Sequence, residues 1–174
     1  PDSGVKHKGK YLALTEEGTR SAEGLATGLD HLKELGVTHV HLLPSFDFGS
    51  IDESRLQDGV YDWGYDPKNY FVPEGSYATD PYDPAVRIRE FKQMVRSLHR
   101  NGIRVVMDAV YNHTHRTEES NFSLTVPGYY YRHEADGSFP DATGCGNETA
   151  SERAMMRRLI VDAVCYWAEE YHVD

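Results

Sequence analysis

The 174 residues carry 18 Lys and Arg against 28 Asp and Glu, a formal net charge of −10, and 39% are hydrophobic. That apolar fraction supports a buried core in one domain or in part of a larger one. The negative charge excludes a sequence-independent nucleic-acid binder, which needs a basic surface, and disfavours docking on an anionic membrane; no apolar run approaches the roughly 20 residues that span a bilayer.

Residues 1–18 read as an N-terminal connecting segment. Gly4 to Lys10 has nearly the spacing of a phosphate loop. Tyr11 stands where Ser or Thr is needed and no strand precedes it, so that reading is rejected. Leu25, Leu29, Leu32 and Leu35 then repeat at helical spacing, with Gly36 as the C-terminal stop. The run from Val37 to Leu43 before Pro44 predicts a strand. His39 and His41 share one of its faces, but no third ligand accompanies them, and no metal is assigned. A loop of about forty residues follows, far longer than the usual connection. It is rich in aromatics: Tyr61, Trp63, Tyr65, Tyr70, Phe71, Tyr77 and Tyr82. Most of these are expected to hold the loop together, while exposed ones suit stacking on the apolar face of a sugar ring.

Asp83 followed by Pro84 is an N-cap with Pro at the first helical position. Ile88, Phe91, Met94, Val95 and Leu98 line one face until Asn101-Gly102 ends the helix. Ile103 to Val110 predicts a second strand, and a second long insert follows. The last helix is marked by Met156, Leu159, Ile160, Ala163, Val164, Trp167, Ala168 and Tyr171, with Thr149 and Glu152 as a capping box. The two apolar strand runs suit strands buried on both faces of a parallel sheet. The fold class is therefore α/β with crossover helices, either a barrel or doubly wound. Both long inserts leave the carboxyl ends of strands, where such folds place ligands.

The second strand ends in Asp108-Ala109-Val110-Tyr111-Asn112-His113. A polar cluster emerging from an apolar strand marks exposed functional side chains. Asp108 and Asn112 share strand parity, and Asp108 among apolar neighbours needs an arginine or a hydrogen bond to offset its burial. His113 offers a donor to a sugar hydroxyl. Cys145 and Cys165 have no metal or redox spacing and read as free thiols. The N-x-[ST] triplets at Asn112, Asn121 and Asn147 are short enough to arise by chance. No secretory signal opens the chain and Pro1 is not an initiator Met, so an excised or processed segment is expected. Localisation is not read.

Tyr61-Asp62-Trp63-Gly64-Tyr65-Asp66-Pro67 resembles the Y-N-W-G-Y-D-P signature of type I pullulanases, with Asp62 in place of the usual Asn. Asp108 to His113 resembles the first shared region of the α-amylase superfamily, D-x-x-x-N-H. Pro73-Glu74-Gly75-Ser76-Tyr77, Gly128 to Arg132 and Thr143 to Asn147 also fit the pullulanase pattern, and the similarity runs from about Gly18 to Asp174. The resemblance implies part of a (β/α)8 TIM barrel, from helix 1 through helix 3 with the domain B insert. Residues 19–113 would be the barrel segment, 114–148 the domain B-like insert, and 149–174 helix 3 with the start of strand 4.

It further implies hydrolysis of α-1,6-glucosidic bonds in pullulan, branched starch or glycogen oligosaccharides, with retention. Tyr65, His113 and Asp66 would bind substrate; Asp108, holding an arginine, and Asn112 would support the site. Retention needs a nucleophile and an acid/base carboxylate about 5–5.5 Å apart. The family places both outside these residues, so no catalytic residue is assigned and the chain alone is expected to be inactive. No cofactor is required. In some amylases the Asn equivalent to Asn112 binds calcium, which is left without an assigned ligand set here. The expected partners are an α-glucan and the remainder of the parent barrel, with no nucleic acid or membrane. The alternatives are an isoamylase- or α-amylase-type hydrolase and a non-catalytic glucan-binding module.

Overall fold

A computed structural model describes residues 2–174. The main helices are α1 (Gly28–Leu35), α2 (Pro84–Arg100) and α4 (Ala154–Tyr171), with a short α3 (Asn121–Thr125) in the second insert. The strands are β1 (His39–Leu42), β2 (Phe46–Phe48), β3 (Pro67–Pro73) and β4 (Arg104–Met107). β1 and β4 pair in parallel, His39 opposite Arg104 through Leu42 opposite Met107, with α2 on the connection between them. This is the expected α/β arrangement. The first insert adds an element not anticipated, the irregular antiparallel pair β2–β3.

Local chemistry explains the helix ends. Asp83 Oδ1 accepts the Ala85 N–H at 2.9 Å, and Pro84 fills a position whose N–H has no helical partner. Gly36 closes α1 in the left-handed region at φ 74°, where a side chain is disfavoured. The proposed capping box on α4 does not form. Thr149 Oγ donates to the Tyr111 carbonyl at 2.5 Å, Glu152 pairs with Arg132, and the helix begins after Arg153. Both side chains are drawn away by contacts distant in sequence, which a local motif does not register.

The core gathers one stripe from each element: Leu29 of α1, Phe46 of β2, Tyr70 of β3, Phe91, Met94, Val95 and Leu98 of α2, Val105 of β4, and Trp167 and Tyr171 of α4. The Phe91 ring meets Tyr11, Trp167 and Tyr171 edge-on, each with centroids 5.3 Å apart. Trp167 Nε1 donates to the Tyr70 carbonyl at 2.8 Å and so ties α4 to β3. Three sequence expectations are corrected. Leu25 lies before α1 and is exposed, as is Leu35, so only Leu29 and Leu32 of that stripe pack inward. Ile88 and Val164 are also exposed, at the margins of stripes narrower than their periodicity suggests. Nor are the parallel strands buried on both faces: His39 and His41 are exposed, because α2 and its neighbours cover only one side of the β1–β4 pair.

The end of α4 turns back toward this pair. His172 adopts φ 56°, Asp174 N–H donates to the Val105 carbonyl at 2.8 Å, and the Asp174 carboxylate accepts the Val105 N–H at 2.9 Å. These groups of β4 point away from β1, so Asp174 covers part of the free edge of the pair. Among the described residues no helix is long and apolar enough to cross a membrane.

The stripe geometry sets different costs for two neighbours on α2. Phe91→Ala should lower unfolding free energy by about 3–5 kcal/mol, as expected for removing a fully packed aromatic. Ile88→Ala should cost below about 1 kcal/mol. Urea denaturation of the two variants checks the contrast.

Candidate active site

Tyr65 and Asp108 come from different elements, the first insert and the end of β4. They meet with the Tyr65 hydroxyl donating to Asp108 Oδ2 at 2.5 Å. The bond to the carboxylate raises the Tyr65 phenol above its ordinary pKa. One edge of Tyr65 is thus fixed while 38% of the residue stays exposed, as a stacking platform requires. No arginine pairs with Asp108 among the described residues; the tyrosine hydroxyl supplies its partner.

His113 is buried, and both ring nitrogens are engaged. Nε2 donates to the Tyr65 carbonyl at 2.6 Å, and Nδ1 meets the Asn112 side chain at 2.8 Å. In this conformation His113 holds the Tyr65 backbone, and a sugar hydroxyl would have to displace one of these partners. Asn112 is exposed and its carbonyl accepts the Thr149 N–H at 2.9 Å.

Asp66 departs from expectation, because its carboxylate faces inward. Oδ2 accepts from Ser50 Oγ at 2.5 Å and lies 2.8 Å from His115 Nδ1, while Oδ1 is buried without a hydrogen-bond partner among the described residues. In this conformation a ligand would have to displace Ser50 or His115 to reach Oδ2. The loop backbone is held as closely: Gly49 N–H donates to the Asp66 carbonyl at 3.1 Å and His115 N–H to the Pro67 carbonyl at 2.9 Å. Gly64 permits the turn into this segment. Its φ is 84°, and a Cβ there would overlap the Pro44 carbonyl.

Gly49, Ser50 and His115 support the site from outside the sequence motifs, and Asn147 and Thr149 brace it from the end of the second insert. Asn147 is buried and bonds the Thr114 backbone twice, accepting from N–H at 3.0 Å and donating to the carbonyl at 2.7 Å. Its place within Thr143 to Asn147 was the only sequence signal, and its burial removes it as a glycosylation acceptor. A pocket of about 380 Å³ opens beside this region, lined by Gly49, Pro67, Lys68, Thr114, His115 and Ser120 among others. The loop aromatics correct the expectation that most of them hold the loop together, since Tyr65 and Phe71 are also among the exposed ones. Tyr70 is buried and Tyr77 packs on Tyr11 and Phe48, whereas Tyr61, Trp63 and Tyr82 are well exposed.

The carboxylates Asp47, Glu53 and Glu74 bring oxygens within 4.8 Å of one another. They do not fit a calcium ion, because Arg87 already supplies the positive charge. Its guanidinium lies 2.6 Å from Glu53 and 3.7 Å from Asp47. The Glu74 oxygens are taken by the Phe48 and Ser76 N–H groups at 3.1 and 2.8 Å. His39 and His41 join no group able to hold a metal among the described residues.

A family model described as "Alpha amylase, catalytic domain" matches residues 14–136. The chain is 53% identical over 173 residues to the pullulanase of Bacillus subtilis (strain 168), covering 99% of this chain and 24% of that protein. It is 38% identical over 204 residues to the chloroplastic pullulanase 1 of Arabidopsis thaliana, covering 97% and 20% respectively. Among solved structures, the pullulanase of Paenibacillus barengoltzii in complex with maltohexaose and alpha-cyclodextrin superposes with a TM-score of 0.97 at 56% identity. That match covers all of this chain and 27% of the other. The chain therefore spans about a quarter of the length of the Bacillus relative.

Burial, more than any other influence, pushes the Asp47 and Glu74 carboxyls above the ordinary carboxylate range. The folded state then keeps protons that the unfolded chain has released, and stability contributed by these groups falls as pH rises. The window opens at the ordinary values, 3.8 for Asp and 4.5 for Glu, and extends upward. Asp47→Asn removes one such group. Urea midpoints measured against pH should show the variant gaining stability relative to wild type as pH rises through that window.

Proposed function

The chain belongs to the alpha-amylase catalytic-domain family, and from that premise we propose that it is the early, sugar-holding part of a debranching glycoside hydrolase of pullulanase type. The substrate class is an α-glucan with α-1,6 branch points, cleaved with retention. The observation that carries this reading is the Tyr65–Asp108 bond. It joins the loop carrying the pullulanase-like motif to the strand end carrying the superfamily motif, and leaves the Tyr65 ring half open. The identity to pullulanases over nearly the whole chain supports it, as does the relative crystallised with maltohexaose.

In this reading α1, β1, α2, β4 and α4 correspond to barrel helix 1, strand 2, helix 2, strand 3 and helix 3. Residues 1–18 connect, 19–113 form the barrel segment, 114–148 the domain B-like insert, and 149–174 helix 3 with the start of strand 4. The pairing of Asp174 with Val105 supports the last assignment. Tyr65 lies under the sugar ring at the cleaved bond. His113 holds the Tyr65 backbone and, on exchanging a partner, reaches that sugar. Asp108 and Asn112 support these two side chains.

Retaining hydrolysis requires a nucleophile and an acid/base poised at an open site. The grouped carboxylates Asp47, Glu53 and Glu74 are instead committed to Arg87 and backbone N–H groups. The resemblance to pullulanases places the catalytic pair in the remainder of the parent barrel, so the 174-residue chain alone is expected not to turn over pullulan. The reading requires no cofactor.

The test is an assay of the full-length protein on pullulan, amylose and glycogen. Maltotriose from pullulan with little action on amylose is expected; selective cleavage of linear α-1,4 chains would overturn the reading in favour of an α-amylase type. In the same protein, Tyr65→Ala should lower kcat/KM on pullulan at least about tenfold, the equivalent of a stacking contact of roughly 1.4 kcal/mol, and Tyr65→Phe should lose less. The isolated chain should release no maltotriose.

A further inference from the structure

We propose that His115, through Asp66, is the positioning residue that sets the Tyr65 platform, a role that rests on the reading of Tyr65 given above. His115 lies two residues beyond the superfamily-like motif and touches no part of the exposed Tyr65 ring. Its influence is exerted from behind the loop. Nδ1 lies 2.8 Å from Asp66 Oδ2, within ion-pair distance, and its backbone N–H donates to the Pro67 carbonyl at 2.9 Å. Arg116 Nε donates to His115 Nε2 at 3.4 Å. Ser50 Oγ donates to the same carboxylate oxygen at 2.5 Å.

The fit of the ring is as specific as its contact with Asp66. The imidazole lies against Gly49 so closely that a Cβ at that position would overlap it. Gly49 in turn donates its N–H to the Asp66 carbonyl. His115 therefore sits between the segment after β2 and the loop carrying Tyr65, and it bonds the residues on that loop immediately following the platform. Asp66, with one oxygen held between Ser50 and His115 and the other enclosed, transmits this restraint.

A platform displaced by about 1 Å costs on the order of a hundredfold in rate when the geometry of the reacting sugar depends on it. The loss falls on kcat, because a loosened platform still collects substrate but aligns it poorly. Two substitutions separate the polar contact from the ring. His115→Phe keeps an aromatic ring beside Gly49 and removes the polar contact with Asp66. His115→Asn places its side-chain nitrogen near the former Nδ1 and keeps the contact.

Both variants are made in the full-length protein, and two properties are read beside wild type. On pullulan, His115→Phe should lower kcat about tenfold or more with KM within about twofold, and His115→Asn should recover most of it. Nitration by tetranitromethane, followed by mass spectrometry of the Tyr65 peptide, should rise several-fold in His115→Phe and fall back in His115→Asn. Nitration of buried Tyr70 should stay at the wild-type level in both. Wild-type kcat and Tyr65 nitration in His115→Phe would overturn the proposal. So would a parallel rise at Tyr70, which marks a general loss of fold. A wild-type protein inactive on pullulan would defeat the functional reading, and the nitration pattern alone would then decide whether His115 positions Tyr65.

Discussion

The site depends on how three consecutive carbonyls are satisfied. Tyr65, Asp66 and Pro67 accept hydrogen bonds from His113 Nε2, Gly49 N–H and His115 N–H respectively. A long insert has few ladder partners of its own, and polar backbone groups held away from water are costly unless bonded. Here the partners come from the segments just after β2 and β4. The same bonds that satisfy the loop therefore fix it to the strand ends. With the backbone held on one side, the Tyr65 hydroxyl reaches Asp108 on the other and the ring stays half open.

That clasp is only as firm as the elements bearing it. β4 is held by β1 on one edge and by Asp174 on the other, and its buried side packs on α2. The segment leaving β4 is braced again by the far end of the second insert, where Asn147 bonds Thr114 and Thr149 bonds Tyr111 and Asn112. β3, which continues directly from Pro67, is fastened to α4 through Tyr70 and Trp167. The buried Arg87 with Asp47 and Glu53 pins the β2–β3 pair to α2. Charge is used here to lock an insert onto a helix, with no metal ion required.

Much of this was legible in the sequence. Asp83-Pro84, Gly36 and the apolar stripes located the helices, and the two β-branched runs located the parallel strands. Periodicity could not tell which edges of a stripe another element would cover, so Ile88, Leu25 and Leu35 looked like core residues. The capping box failed for a related reason, since Thr149 and Glu152 are claimed by Tyr111 and Arg132. In the site, Tyr65, Asp108 and His113 were visible as members of two motifs, but the direction of a side chain was not. Asp66 was expected to bind substrate from the resemblance alone, and the sequence held no sign that Ser50 and His115 would meet its carboxylate. Gly49 carried no local signal, because the reason for a glycine there is a ring 66 positions further along the chain.

The central claim is that the loop and the strand end together form a glucan platform whose inner side is closed. A crystal structure of the full-length protein soaked with maltotriose tests it most directly. The account predicts a glucosyl ring stacked on the exposed face of Tyr65, with Asp66 still held by Ser50 and His115 and making no contact with the sugar. A sugar bound away from Tyr65, or an Asp66 carboxylate turned outward to hold it, would contradict it.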